Sequence, residues 1–233
     1  MGSARDNRLA YEFELMTAIR SPGGLIDFQC ADLKADEAHA YLAASMSAEV
    51  VKGALPNFLS PEEFVRKFPG RPPEKYLVMF RCRGLMRKEP GGEIVPANQH
   101  LLEVVFGWDF PQVPPRFVWM TPIWHPNILP PYLCAAGRAF ALSTTLDQIC
   151  LMVGQMIQYQ NYNIKDPLNH EAAIWASQNP HRFPVDRRGL LDGKERLAPA
   201  VSFTDGQLIE FADVEPPPTA DTEDSGDEMV TLL

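Results

Sequence analysis

The chain has 233 residues, 45% of them hydrophobic, which is enough for one sizeable core and short for two full domains. Its net charge of -9 resides at one end: nine of the thirty acidic residues lie beyond Arg196, the last basic residue, so residues 1–196 carry 21 acids against 21 bases. A neutral body argues against a general nucleic-acid binder, which needs surplus Lys and Arg to displace counterions from phosphates, and no apolar run approaches the ~18 residues of a membrane span. Cys30, Cys82, Cys134 and Cys150 are widely spaced, with no CxxC pair and no close Cys/His pairing, so a structural metal is not expected. The N-terminus lacks a basic segment followed by an apolar stretch, and a reducing cytoplasm is the expected location.

In chain order, residues 8–20 place Leu9, Phe13, Met16 and Arg20 on one helical stripe, which Ser21-Pro22-Gly23-Gly24 stops. Residues 25–30 alternate, with Ile26, Phe28 and Cys30 opposite Asp27 and Gln29, the period of a half-buried strand. An insert follows over about residues 33–74. Its alanine-rich part, 36–51, is a candidate helix, and Ser60-Pro61-Glu62-Glu63 carries the N-cap, N1 proline and acidic first turn of a second, short one. Residues 76–83, 101–106 and 117–120 read as strands separated by the turn formers Glu89-Pro90-Gly91-Gly92 and Phe110-Pro111-Gln112-Val113-Pro114-Pro115. Four sequential strands predict an antiparallel meander.

Beyond the strands, Thr144-Thr145-Leu146-Asp147 predicts a cap, and Leu146, Ile149, Cys150, Val153, Met156 and Ile157 recur at helical spacing as far as Tyr159, which turns Cys150 to the core. Asp166-Pro167 predicts an N-cap and N1 proline opening a helix from Leu168 to about Gln178, ended by Asn179-Pro180. From residue 197 onward proline, acid and small polar residues prevail, so a single domain over residues 1–196 and an acidic, largely disordered tail over 197–233 are expected.

One constellation carries chemistry. Cys134 lies nine positions after His125 of the His125-Pro126-Asn127 turn, and Asp166 a further thirty-two on. A thiol with an amide and a carboxylate in reach suggests acyl transfer through a cysteine, because a thiolate is both a strong nucleophile and an adequate leaving group. Cys30, Cys82 and Cys150 read as small buried hydrophobes, whereas Cys134, set among Pro130-Pro131-Tyr132-Leu133 and Ala135-Ala136-Gly137, lies outside any apolar stripe. Asn127 also suits a turn in which it bonds its own backbone, and Asp166 suits any helix N-cap.

The chain resembles the ubiquitin-conjugating enzymes through Phe110-Pro111-Gln112-Val113-Pro114-Pro115, Thr121-Pro122-Ile123-Trp124-His125-Pro126-Asn127, Cys134 and Asp166-Pro167-Leu168-Asn169-His170-Glu171-Ala172-Ala173. The resemblance covers about residues 8–30 and 76–180. It implies the UBC-like α+β fold, with an N-terminal helix, a four-stranded antiparallel meander, an active-site loop and two or more C-terminal helices. It also implies that Cys134 receives a ubiquitin or ubiquitin-like protein as a thioester from an activating enzyme and yields it to an amine of a protein substrate, with or without a ligase. By the same resemblance Asn127 stabilises the oxyanion or pins the adjacent loop. Asp166 would orient the incoming lysine and favour loss of its proton, while His125 and Pro126 are structural. Tyr132, Asn163 and Asn169 could line the site.

The chain departs from the family where the thiol lies one residue nearer His125, two prolines replace a glycine-containing turn, Ala135 stands for leucine and Leu142 for tryptophan. The insert and acidic tail are similar to divergent members of bacterial ubiquitin-like conjugation systems. Seven lysines leave few acceptors for self-modification. Two other readings remain: a non-catalytic module of the same fold that binds a ubiquitin-like protein, and a cysteine hydrolase pairing Cys134 with His125 or His170.

Overall fold

The computed structural model describes residues 3–32, 58–134, 143–184, 186 and 188–191. The alanine-rich part of the insert, the residues directly after Cys134 with Ala135 and Leu142 among them, and the acidic tail lie outside the described residues.

Helix α1 spans Ala4–Ile19, four residues earlier than the apolar stripe announces, because Ser3 and Asp6 form a capping box. Each side chain takes a backbone N–H that the first turn would otherwise leave unpaired. Strand β1, Ile26–Ala31, follows the Gly-containing turn. The short helix α2, Pro61–Lys67, begins where the second cap was expected, with Ser60 and Glu63 bonded reciprocally. Strands β2 (Lys75–Phe80), β5 (His100–Val105) and β6 (Arg116–Trp119) join β1 in an antiparallel sheet of order β1-β2-β5-β6.

Between β2 and β5 the chain makes a separate two-stranded hairpin, β3 (Gly84–Arg87) with β4 (Ile94–Ala97). The Glu89-Pro90-Gly91-Gly92 turn was legible, but strands this short and only half buried carry too little alternation to be read. The hairpin crosses close to the core at Gly84. A Cβ there would lie 2.8 Å from His100 Nε2 and 2.8 Å from Ile157 Cγ2, so only glycine lets the strand approach.

Register puts Ile26, Phe28 and Cys30 of β1 beside Phe80, Val78 and Tyr76 of β2, and these beside His100, Leu102 and Val104 of β5. This single face is buried and receives α1 through Leu9 and Met16 and helix α3, Leu146–Ile157, through Ile149, Cys150, Val153 and Ile157. α1 is fastened to the start of α3 by one buried carboxylate. Glu12 Oε2 accepts from Leu146 N at 2.7 Å while its other oxygen accepts from Arg8 Nε at 2.7 Å, and Arg8 also donates to the Thr144 carbonyl at 2.8 Å. A negative charge at a helix N-terminus meets unpaired N–H groups and the positive end of the helix dipole, although burial pushes the Glu12 carboxyl upward.

The last helix, α4, spans His170–Gln178. Its N-cap is Asn169, which accepts from Ala172 N at 3.1 Å, and not the expected Asp166. Asp166 N–H lies 3.4 Å from Asn163 Oδ1, within a turn that precedes the helix, and Asn169 N–H donates to the Pro126 carbonyl at 2.8 Å. Those two contacts delay the helix to His170. A 3₁₀ turn, Pro180–Arg182, follows where Asn179-Pro180 was expected to end it.

Candidate functional site

The site begins where β6 ends. Met120 N donates to the Leu101 carbonyl at 3.0 Å, and Trp124 N donates to the Leu85 carbonyl at 2.7 Å, so the approach to the His125-Pro126-Asn127 turn is tied to both the main sheet and the β3–β4 hairpin. Trp124 is buried under the Arg87 guanidinium, which lies 3.6 Å above its ring and pairs with Glu171 of α4 at 2.5 Å. A cation over an indole face that is also held by a carboxylate fixes one arrangement of hairpin, turn and helix.

His125 is wholly buried. Its Nδ1 accepts from Asn127 N at 3.1 Å, which places the ring proton on Nε2, and its ring meets Tyr159 edge-on with centroids 4.8 Å apart. Burial pushes its imidazole down to about 3 and that of His100 to about 4. With Nδ1 occupied and the ring shut from solvent, His125 has no free lone pair with which to act as a base. Among the described residues no hydrogen bond joins the Cys134 thiol to a histidine.

The two buried histidines have a pH consequence. Unfolded histidines take up protons near 6.5, whereas these two in the fold stay neutral until about 4 and 3. The folded chain therefore binds fewer protons in that window, and the histidine contribution to stability, intact above pH 6.5, is lost as the pH falls, by about 1.4 kcal/mol per pH unit for each ring. In an NMR titration both imidazoles are expected to hold their neutral chemical shifts down to pH 5. A midpoint near 6.5 for either ring would contradict the burial argument.

Tyr159 closes the site from behind. It stands just past the end of α3 with φ of 58°, a left-handed conformation that costs a tyrosine about 1 kcal/mol or more. Its hydroxyl donates to the Trp124 carbonyl, and its ring is packed by His125, Tyr162, Trp175 and Phe183. Tyr159→Phe keeps the packing and removes the bond, so it is expected to lower the stability by about 1 kcal/mol in urea unfolding; an unchanged midpoint would remove the hydroxyl from the account.

The proline-filled span resolves into a hairpin. β7 (Ile128–Leu129) pairs with β8 (Tyr132–Leu133), with Pro130 and Pro131 as the two loop residues and the Pro131 carbonyl accepting from Trp119 N at 2.9 Å on the edge of β6. Ile128 faces Leu133 and Leu129 faces Tyr132, so the next pair outward is Asn127 and Cys134. Cys134 N donates to the Asn127 carbonyl at 2.9 Å. The shortened, proline-filled loop thus brings the Cys134 backbone N–H onto the Asn127 carbonyl.

Cys134 is exposed. Cys30, Cys82 and Cys150 are buried, and desolvation pushes the first two thiols up to about 12 and the third well upward too. Asn127 is buried and both polar atoms of its amide are bonded: Nδ2 donates to the Asn163 carbonyl at 2.9 Å, and Oδ1 accepts from Asn163 N at 2.6 Å. Asn163 in turn accepts from Lys165 N at 2.8 Å, which turns the chain outward so that Lys165 and Asp166 are exposed. The exposed apolar side chains nearest in sequence are Leu129 and Tyr132 on the hairpin and Ile164 and Leu168 on the loop.

The structure therefore joins Asn127 to Cys134 through the hairpin and to the Asp166 loop through Asn163. The sequence offered Asn163 and Asn169 without ranking them. The usable signal at Asn163 is an asparagine two residues before Lys165, the spacing of an Asx turn. At Asn169 it is an N-cap residue three before Ala172, in competition with Asp166. Among the described residues no group of three His, Cys, Asp or Glu side chains is placed to hold a metal ion.

Residues 96–188 match the family model of the ubiquitin-conjugating enzyme. That stretch contains the turn, Cys134, Asn163 and Asp166, and together with the helix–meander–helix order it marks the fold as UBC-like. Solved structures similar to the chain include one from Plasmodium yoelii classed as a ubiquitin conjugating enzyme, 15% identical with a TM-score of 0.45 over 78% of this chain and 88% of that one. Another is the E2 domain of a Toxoplasma gondii ubiquitin conjugating enzyme, 20% identical with a TM-score of 0.36 over 46% of this chain and 72% of that one. No curated protein matches the chain.

Proposed function

We propose that the protein is a ubiquitin or ubiquitin-like protein conjugating enzyme with Cys134 as its carrier thiol. The observation that carries this reading is the Asn127–Cys134 pair: the exposed member of four cysteines lies in hairpin register with an asparagine whose amide holds the loop bearing Asp166. The Cys134 thiolate attacks the modifier's thioester on an activating enzyme, forming a new C–S bond as the old one breaks. A lysine of the target then attacks the same carbonyl, the C–N bond forms, and Cys134 leaves as thiolate. Asp166 orients that amine and favours loss of its proton to carboxylate or solvent. Asn127 acts as the pin of the loop, a role supported by the engagement of both its polar atoms with Asn163. His125 and Pro126 hold the turn, His125 through its ring and Pro126 through the carbonyl that accepts from Asn169.

The partners in this reading are the modifier, its activating enzyme, a protein substrate and, where one is used, a ligase. The free energy for the bond arrives with the thioester, so the chemistry asks for no cofactor of the enzyme's own. Among the described residues no helix is long and apolar enough to cross a membrane, and four free thiols fit the reducing cytoplasm. The long insert and acidic tail favour a divergent, bacterial-type member.

The test is loading. With ubiquitin, a ubiquitin-activating enzyme and Mg-ATP, the protein is expected to gain the mass of one ubiquitin on a non-reducing gel and to lose it under thiol reductant. Absence of any such adduct would sink the reading.

A further inference from the structure

We propose that Arg87 is a positioning residue for the transfer step, a clamp between the β3–β4 hairpin and the start of α4 that sets where the loop bearing Asp166 stands. The inference rests on the thioester reading above and adds to it a residue that touches neither the thiol nor the amine.

The loop over residues 163–169 has both ends on the His125-Pro126-Asn127 turn. At one end the Asn127 amide bonds the backbone of Asn163 twice, at 2.9 and 2.6 Å. At the other, Asn169 N donates to the Pro126 carbonyl at 2.8 Å. A single hydrogen bond fixes a distance but acts as a pivot, about which the start of α4 is free to swing. Arg87, the last residue of β3, supplies the second constraint. Its guanidinium lies 3.6 Å above the Trp124 ring, and its Nη1 donates to Glu171 Oε2 at 2.5 Å, in the first turn of α4 two residues past Asn169. Trp124 is buried, directly precedes the turn, and donates its own N–H to the Leu85 carbonyl of β3 at 2.7 Å. Hairpin, turn and helix start are thus each tied to the other two. Leu85, Trp124 and Tyr159 also share one small apolar cluster with Ala172 and Ala176 of α4.

Stability alone does not account for the ion pair. The Glu171 side chain is 69% exposed, and a pair with one partner in solvent contributes little to the folding free energy. What the pair fixes is direction. A planar guanidinium seated on an indole face has few ways left to turn, so the carboxylate that meets it is held in one place. A misplacement of about 1 Å in the groups that orient reactants is enough to slow a reaction severely. Transfer is the step that feels it. The lysine nitrogen attacks the thioester carbonyl, a C–N bond forms as the C–S bond breaks, and Cys134 leaves as thiolate. Asp166 acts on the incoming amine and so enters only here, whereas loading uses the thiol and the activating enzyme.

The experiment uses the full chain as parent, Arg87→Ala, Glu171→Gln and the double variant. Each is loaded with ubiquitin, a ubiquitin-activating enzyme and Mg-ATP, activation is quenched with chelator, and loss of the reductant-sensitive adduct to free lysine is timed. Glu171→Gln is expected to slow discharge about fivefold and Arg87→Ala at least as much, with loading rates within about twofold of the parent. The thermal midpoint of Glu171→Gln should not move, which separates positioning from folding. In the double variant the loss should be no greater than in Arg87→Ala, because each substitution breaks the same pair. Lys88→Ala, which opens the exposed 4.0 Å contact with Glu93 on the same hairpin, should discharge as the parent does. Discharge of Glu171→Gln at the parent rate, losses that multiply in the double variant, or loading that falls as far as discharge would overturn the inference and leave the thioester reading standing. Failure of the parent to load would overturn both.

Discussion

Cys134→Ala is expected to abolish every reductant-sensitive adduct, while Cys30→Ala, Cys82→Ala and Cys150→Ala each load as the parent does. The difference follows from burial and not from residue type. A thiol pushed up to about 12, as at Cys30 and Cys82, presents only about one thiolate in 10⁴ or fewer near neutral pH, and its sulfur is shut inside the core besides. Cys134 is exposed and stands next to Asn127 in the hairpin. Cys134→Ser makes the test sharper, because a hydroxyl in the same place forms an oxyester that survives reductant and is cleaved by mild base. A reductant-sensitive adduct that persists in Cys134→Ala would move the carrier to another thiol and end the present reading.

Asn127→Ala is expected to have the second largest effect, and on two separate quantities. It removes both bonds to Asn163 and leaves a part-buried N–H and carbonyl without these partners, at a cost of about 1 kcal/mol or more. In a fold of this size that lowers the thermal midpoint by several degrees. It also frees the loop that carries Asp166, so discharge of the loaded thioester to free lysine should fall about 100-fold, while loading from the activating enzyme changes far less. Asn127→Asp separates pinning from oxyanion stabilisation. The carboxylate keeps an acceptor for Asn163 N but turns an oxygen toward the Asn163 carbonyl, so a pin predicts a thermal loss at least as large as that of Asn127→Ala. Slow discharge with an unchanged thermal midpoint in both variants would instead assign Asn127 to the oxyanion.

The noncatalytic and hydrolase readings meet different parts of the same geometry. A binding module needs no exposed thiol beside the asparagine. A hydrolase needs a histidine within reach of the sulfur, whereas His125 is buried with its Nδ1 taken by Asn127 N and its imidazole pushed down to about 3. Loading of Cys134→Ser without hydrolysis in the parent would separate carrier from hydrolase directly.

Much of the fold was legible in local pattern. The alternation of Ile26, Phe28 and Cys30, the helical recurrence from Leu146 to Ile157 and the Ser60 cap each express a short-range rule, and each appears where the rule put it. The antiparallel meander followed from strand order, although a long insert parts β1 from β2 and the β3–β4 hairpin parts β2 from β5. The β3–β4 hairpin escaped because its four-residue strands are only half buried and too short to show alternation, and α1 began early because its cap lies outside the apolar stripe.

By itself the sequence determined the succession of helix, sheet strands and later helices, the neutral body with its acidic end, and the identity of the residues around the turn. Each of these depends on composition or on spacing within one element. Only the tertiary structure decided that Pro130 and Pro131 form a hairpin loop that sets Asn127 against Cys134, that Asn163 completes the amide's bonding, and that Asn169 rather than Asp166 caps α4. Those outcomes turn on hydrogen bonds between segments tens of residues apart. A cap or turn residue has several local partners of nearly equal worth, and the distant backbone atom that arrives beside it selects among them.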